Sequence, residues 1–95
     1  MFLRANPTPS RDHRQMVADG ALLLDVRTPA EYASGHVRGA TNIPVQELNF
    51  RMHEVGDKKR PVVVYCRSGA RSAAASGLLR ANGYDVVDIG GMHAW

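Results

Sequence analysis

The chain has a single cysteine, Cys66, and that scarcity closes several routes at once. A lone thiol forms no internal disulfide and has no internal resolving partner, so any cargo or oxidised state it carries must pass to another molecule. His13, His36, His53 and His93 are scattered with no pair at metal-ligand spacing and one thiol to join them, which argues against a zinc site; no metal and no cofactor are expected. Long apolar runs are missing too. The longest, Ala21 to Leu24 and Pro61 to Cys66, are far too short to span a bilayer, so no membrane partner is expected. Met1-Phe2-Leu3-Arg4 runs into Asn6-Pro7-Thr8-Pro9 without an apolar core and a small-residue cleavage site, so no secretory signal is visible and a cytoplasmic address is expected. Aromatic residues are few, at 6%, and none interleaves with the densest basic run, Lys58-Lys59-Arg60. That run reads as a solvated turn and not as a nucleic-acid patch.

What remains is ordinary for a small globular protein: 95 residues, 44% apolar, 22% charged, net charge +3. Residues 1 to 95 are expected to make one domain with no room for a second. The punctuation gives an alternating order. Thr8 or Ser10 can cap a first helix running to about Ala18, with Pro9 at an early position and Gly20 beyond its end. Ala21 to Val26 is a buried strand. Thr28-Pro29-Ala30-Glu31 has the form of a capping box opening a short helix that ends at Gly35, and gives Glu31 a structural task. Thr41 to Ile43 is a short strand closed by Pro44, Gln46 to about His53 a third helix, and 56 to 61 a polar loop. Val62 to Tyr65 is a strand with the continuous β-branched and aromatic character of full burial. A helix follows from about Arg71 to Ala81, stopped by Asn82-Gly83, and Tyr84 to Ile89 is the last strand. Strands alternating with helices predict an α/β fold with a small parallel sheet flanked by helices on both faces.

Within that order Cys66 stands at the carboxyl end of a strand, where open α/β sheets bind their ligands. The loop Arg67-Ser68-Gly69-Ala70-Arg71-Ser72 then leads into an alanine-rich helix. Backbone N–H groups of such a loop and of the first helical turn point at the sulfur, joined by the guanidinium groups of Arg67 and Arg71, and each favours S⁻ over SH. Most free cysteines are small apolar core residues, but a core cysteine has no need of two arginines and a glycine in the next five positions. The same loop makes an anion nest, so nucleophile and substrate requirements coincide. Four residues lie between Cys66 and Arg71, one fewer than in cysteine-dependent phosphatases. A tighter ring suits a smaller group, such as one sulfur atom carried on the cysteine.

These motifs resemble the single-domain rhodaneses, the thiosulfate-type sulfurtransferase family. Leu24-Asp25-Val26-Arg27 is similar to the family's first signature and Glu31 to Pro44 to its second. Cys66-Arg67-Ser68-Gly69-Ala70-Arg71 is similar to its six-residue active loop and Gly90-Gly91-Met92-His93-Ala94-Trp95 to its closing segment. The match covers residues 22 to 95; members commonly continue with another short turn past the final tryptophan, where this chain stops.

The resemblance implies a rhodanese-like fold and a double displacement. Cys66 attacks the sulfane sulfur of a small anionic, thiosulfate-like donor, sulfite leaves, and a Cys66 persulfide forms with its outer sulfur held by N–H groups from Arg67 to Ser72. Arg67 and Arg71 orient the donor's sulfonate, and cyanide or a small or protein thiol takes the sulfur. Asp25 and Arg27 read as a structural ion pair, with Arg27 able to add positive potential near the pocket. Met92 and Trp95 read as a lid over the core, and His36 as a backbone-bonding turn residue. Two other classes remain open on the sequence. A small-loop cysteine phosphatase or arsenate reductase shares the thiolate and the arginine, and a rhodanese-like regulatory binding module shares the fold.

Overall fold

The computed structural model describes residues 11–95, in which the two continuous apolar runs lie side by side as the centre of one sheet. Its strands are β1 (Leu22–Asp25), β2 (Thr41–Asn42), β3 (Val62–Cys66) and β4 (Val86–Gly91), all parallel, in the order β2-β1-β3-β4. All residues of β1 and of β3 are buried, as strands covered on both faces must be. The helices are α1 (His13–Ala18), α2 (Pro29–Ser34), α3 (Val45–Leu48) and α4 (Ala70–Ala81), with short 3₁₀ turns at Met52–Glu54 and Met92–Ala94.

Because side chains alternate across a strand, β1 and β3 feed two cores. Leu22, Leu24, Val62, Val64 and Cys66 face Leu48 of α3 and Ala75 and Leu79 of α4. Leu23, Val63 and Tyr65 face the other way, against Met16 and Val17 of α1, Tyr32 of α2, and Met92 and Trp95. The expected α/β architecture with helices on both faces is therefore the one observed, and the closing segment covers the second core as a lid.

Local boundaries differ in three places. The caps expected at Thr8 or Ser10, with Pro9 behind them, lie outside the described residues; α1 starts after Asp12, whose carboxylate accepts the Gln15 N–H at 3.1 Å. The third helix is not continuous to His53. It ends at Leu48 and resumes as the 3₁₀ turn, with i→i+3 bonds from Glu54 N to Arg51 O and Val55 N to Met52 O. Three residues per turn align Met52 with Val55, so both reach the core. The last strand begins and ends two residues later than expected. Gly90, at φ +76°, takes a conformation open to glycine, its N–H donates to Asp88 Oδ1, and a bulge opposite Val64/Tyr65 lets pairing continue to Cys66 opposite Gly91. That shift brings the end of β4 beside the cysteine.

Candidate active site

Val62–Cys66 delivers its last residue to the carboxyl edge of the sheet, and the chain must turn at once to begin α4. Gly69 makes the turn at φ +113°, a region that disfavours any side chain. Its N–H thereby points back and donates to Cys66 Sγ at 2.9 Å. The sulfur lies within a nearly closed surface, with Cys66 1% exposed. Burial raises the thiol's pKa, but the Ser72 hydroxyl and the backbone N–H groups of Ser72, Gly69 and Ser68 outweigh it, and the net direction is down.

The Ser72 hydroxyl carries a single proton. It lies 3.5 Å from Sγ and 3.0 Å from the Gly69 carbonyl, the better acceptor while the sulfur is a thiol. In that state the S–H donates to Ser72 Oγ. Ionisation lets the hydroxyl swing its proton to the sulfur, so the backbone donors are the fixed part of the cradle and Ser72 the adaptable part.

The arginines divide the work differently from the sequence expectation. Arg67 and Ser68 are exposed, and the Arg67 side chain has no hydrogen bond or ion pair among the described residues; Ala70 is also exposed, at the helix start. Arg71 turns instead to α2, where its Nη1 and Nη2 donate to Glu31 Oε1 and Oε2 at 2.6 and 2.9 Å. Glu31 also completes the expected capping box: Thr28 Oγ1 accepts the Glu31 N–H, and Glu31 Oε1 accepts the Thr28 N–H. One carboxylate thus caps α2 and fixes the arginine of the loop. The Arg71 side chain, with its charge assists, holds the Glu31 carboxyl well below the usual carboxylate range.

Behind the loop lies a buried polar network. Arg27 donates from Nε and Nη2 to Asp25, at 2.7 Å for the shortest contact, and Nη2 also reaches the Gly35 carbonyl. Tyr65 Oη donates to Asp25 Oδ2 at 2.7 Å and accepts the Val37 N–H. Asp25 and Arg27 are therefore the structural pair the sequence suggested. The Asp25 contact ties this pair to Tyr65, the residue immediately before Cys66, and burial pushes the Tyr65 phenol up to about 12.

The closing segment completes the enclosure. A Cβ on Gly91 would stand 2.7 Å from the Arg67 carbonyl and 2.5 Å from His93 Nδ1, so the glycine is what lets β4 approach the loop. His36 Nδ1 lies 2.8 Å from the Tyr32 carbonyl, in its expected turn role. Lys58, Lys59 and Arg60 are exposed, as a solvated turn should be. No group of three or more His, Cys, Asp or Glu among the described residues could hold a metal ion. None of the described helices is long and apolar enough to cross a membrane. A cleft of about 500 Å³ opens along β4 between Arg11, His13, Arg80 and Asp88, and no residue of the cysteine loop lines it.

Sequence reasoning missed Glu31 as a partner of Arg71 and the Tyr65 hydroxyl as a link to Asp25. A signal for the first was present: β1 and β3 are parallel, so the helices that follow them both begin at the carboxyl edge, where their first turns can meet.

Comparison with known proteins agrees with this geometry. Residues 10–95 match the Rhodanese-like domain family. The sulfurtransferase of Allochromatium vinosum is 44% identical over 94 residues, covering 95% of this chain and 87% of that protein. The thiosulfate sulfurtransferase PspE of Escherichia coli is 42% identical over 69 residues, covering 72% of this chain and 66% of that protein. A solved structure of rhodanese with anions from E. coli superposes with a TM-score of 0.74 at 38% identity, covering 80% of this chain and 92% of that one. The parallel sheet, the cysteine loop at its carboxyl edge and these matches together make the chain a member of the rhodanese-like domain family, similar to proteins named as sulfurtransferases.

Proposed function

We propose that the protein transfers a sulfane sulfur through a persulfide on Cys66, with the loop Arg67 to Ser72 as the binding cradle. The observation that carries this reading is the aim of the loop: a buried sulfur that accepts the Gly69 N–H at 2.9 Å, in surroundings whose net effect lowers its pKa. In the first half-reaction the Cys66 thiolate supplies an electron pair to the outer sulfur of the donor, thiosulfate serving as reference. The donor's S–S bond breaks, its electron pair leaving on sulfite. The new persulfide projects its charged outer sulfur toward the loop N–H groups, which hold it as an oxyanion hole holds oxygen. In the second half-reaction cyanide or a thiolate attacks that outer sulfur, and the Cys66 thiolate leaves. No redox partner, metal or cofactor is required for the balance. The single thiol fits a reducing, cytoplasmic setting, and the sulfurtransferase names of two relatives support the reaction class.

Incubation with thiosulfate should add one sulfur mass to the protein. Cyanide or reductant should remove it, and folded Cys66→Ser should show none, because a serine hydroxyl is no thiolate at neutral pH. An aryl phosphate should give no phosphoenzyme, since a ring with four residues between Cys66 and Arg71 offers too few donors to three equatorial oxygens. Ready hydrolysis of the ester without sulfur uptake would replace this function with the phosphatase one.

A further inference from the structure

Resting on the sulfur-transfer reading, we infer that Glu31 sets the charge class of the donor, favouring alkyl or protein persulfides over the thiosulfate dianion. The cations available to a donor decide this. Three guanidinium groups belong to the cysteine loop and to the end of the neighbouring strand β1. Arg27 is held by Asp25 and buried with it. Arg71 gives both Nη atoms to Glu31, in the fork-to-fork geometry that a carboxylate or a sulfonate would otherwise occupy. Of these three, Arg67 is the one that is exposed with no acidic partner among the described residues.

The carboxylates thus cancel two of the three charges and leave the loop one, plus its neutral N–H donors. Thiosulfate brings two negative charges towards a thiolate, and one free cation meets only part of that repulsion. A donor R–S–SH brings none at the reacting sulfurs, or one when ionised. Attack by the Cys66 thiolate on its outer sulfur forms the Cys66 hydropersulfide and expels R–S⁻, so atoms and charge balance without a further reactant. Glu31 is a specificity residue in this account: it acts on the donor through Arg71 and does not touch the reacting atoms.

The test compares thiosulfate with 2-hydroxyethyl hydropersulfide, an alkyl persulfide with no other charged group, as donors to wild type, Glu31→Gln and Thr28→Ala, following sulfur loading of Cys66 by mass. Wild type should load from the persulfide with the higher kcat/KM and should show only a shallow salt dependence with thiosulfate. Freeing Arg71 in Glu31→Gln should raise kcat/KM for thiosulfate about tenfold, chiefly through KM, as one charge-assisted contact does. It should leave the persulfide within about twofold and steepen the salt dependence for thiosulfate. Thr28→Ala weakens the cap of α2 without touching Arg71, so it should keep the wild-type donor ratio and thereby separate charge from helix stability. An equal change for both donors in Glu31→Gln, a ratio shift in Thr28→Ala like that in Glu31→Gln, or a wild-type preference for thiosulfate would overturn the inference. The wild-type arm needs no variant to fold. Loading from neither donor would instead overturn the sulfur-transfer reading itself.

Discussion

Gly91→Ala is a substitution of one methyl group whose effect the geometry decides. Gly91 has φ −80° and ψ 153°, ordinary for any residue, so alanine there costs nothing in backbone conformation. The cost is steric. The new Cβ would overlap the His93 ring and lie 2.7 Å from the Arg67 carbonyl oxygen. His93 is exposed and its ring can rotate away. The carbonyl cannot, because it belongs to the backbone between Cys66 and Gly69. A carbon and a carbonyl oxygen settle at about 3.4 Å, so the loop or the strand must yield by about 0.7 Å. That displacement falls on the segment whose N–H groups aim at the sulfur, and the Gly69 contact of 2.9 Å has little slack. Overpacking of this kind costs about 1–3 kcal/mol of stability, and a shift approaching 1 Å at a reacting centre costs about tenfold to a hundredfold in rate. Denaturant titration measures the first and single-turnover loading from thiosulfate the second. His93→Ala and the double variant separate the two clashes. Should Gly91→Ala match wild type, or should the double variant recover both stability and rate, the Arg67 carbonyl does not bear the strain and the reasoning is refuted.

Two other outcomes follow from the site. The rate of Cys66 alkylation against pH should inflect below the free-thiol value of ~8.5, and Arg71→Ala should move that inflection up only slightly, since the N–H donors and Ser72 hold the thiolate while Glu31 holds Arg71; an inflection at or above the free value would remove the cradle's role. Tyr65→Phe should cost about 1–3 kcal/mol, because the Val37 N–H loses its acceptor and Asp25 a donor. Folding raises the Tyr65 phenol to about 12, so its contribution is complete below the unfolded value of ~10 and is lost as pH rises through the folded one. Wild-type stability should therefore fall more steeply than that of the phenylalanine variant across this alkaline range, and parallel curves would contradict the assignment.

The fold was legible because most of its signals are local. Val62 to Tyr65 and Leu22 to Leu24 are apolar without interruption, which only a strand buried on both faces tolerates, and Thr28-Pro29-Ala30-Glu31 fixes a helix start within four residues. The places where the reading slipped are those where tertiary contacts override local propensity. Residues 46 to 53 have no breaker, yet the demand that both Met52 and Val55 reach the core tightens the winding after Leu48. Tyr84 has strand character, but its hydroxyl donates to the Gly56 carbonyl and its backbone N–H bonds Leu79 O, so it closes α4 before β4 begins. Gly90 and Gly91 look like strand terminators, and pairing with Tyr65 and Cys66 turns them into strand.

The site shows the same division between near and far in sequence. Cys66 to Ser72 is contiguous, and a thiolate needs donors that a strand-to-helix turn supplies automatically, so the cradle can be read from spacing. Its charge balance cannot, because the carboxylate that engages Arg71 lies 40 positions earlier and already has a local explanation as a capping residue. A capping glutamate spends one oxygen on the Thr28 N–H and has lone pairs left over on both. Parallel strand order supplies the missing step: β1 and β3 are neighbours, so α2 and α4, on opposite faces, both start at the edge where the Cys66 sulfur sits. The carboxylate in the first turn of α2 is therefore within reach of the arginine in the first turn of α4, and Glu31 engages it with both oxygens. The local role of Glu31 and its distant one are consequences of a single placement.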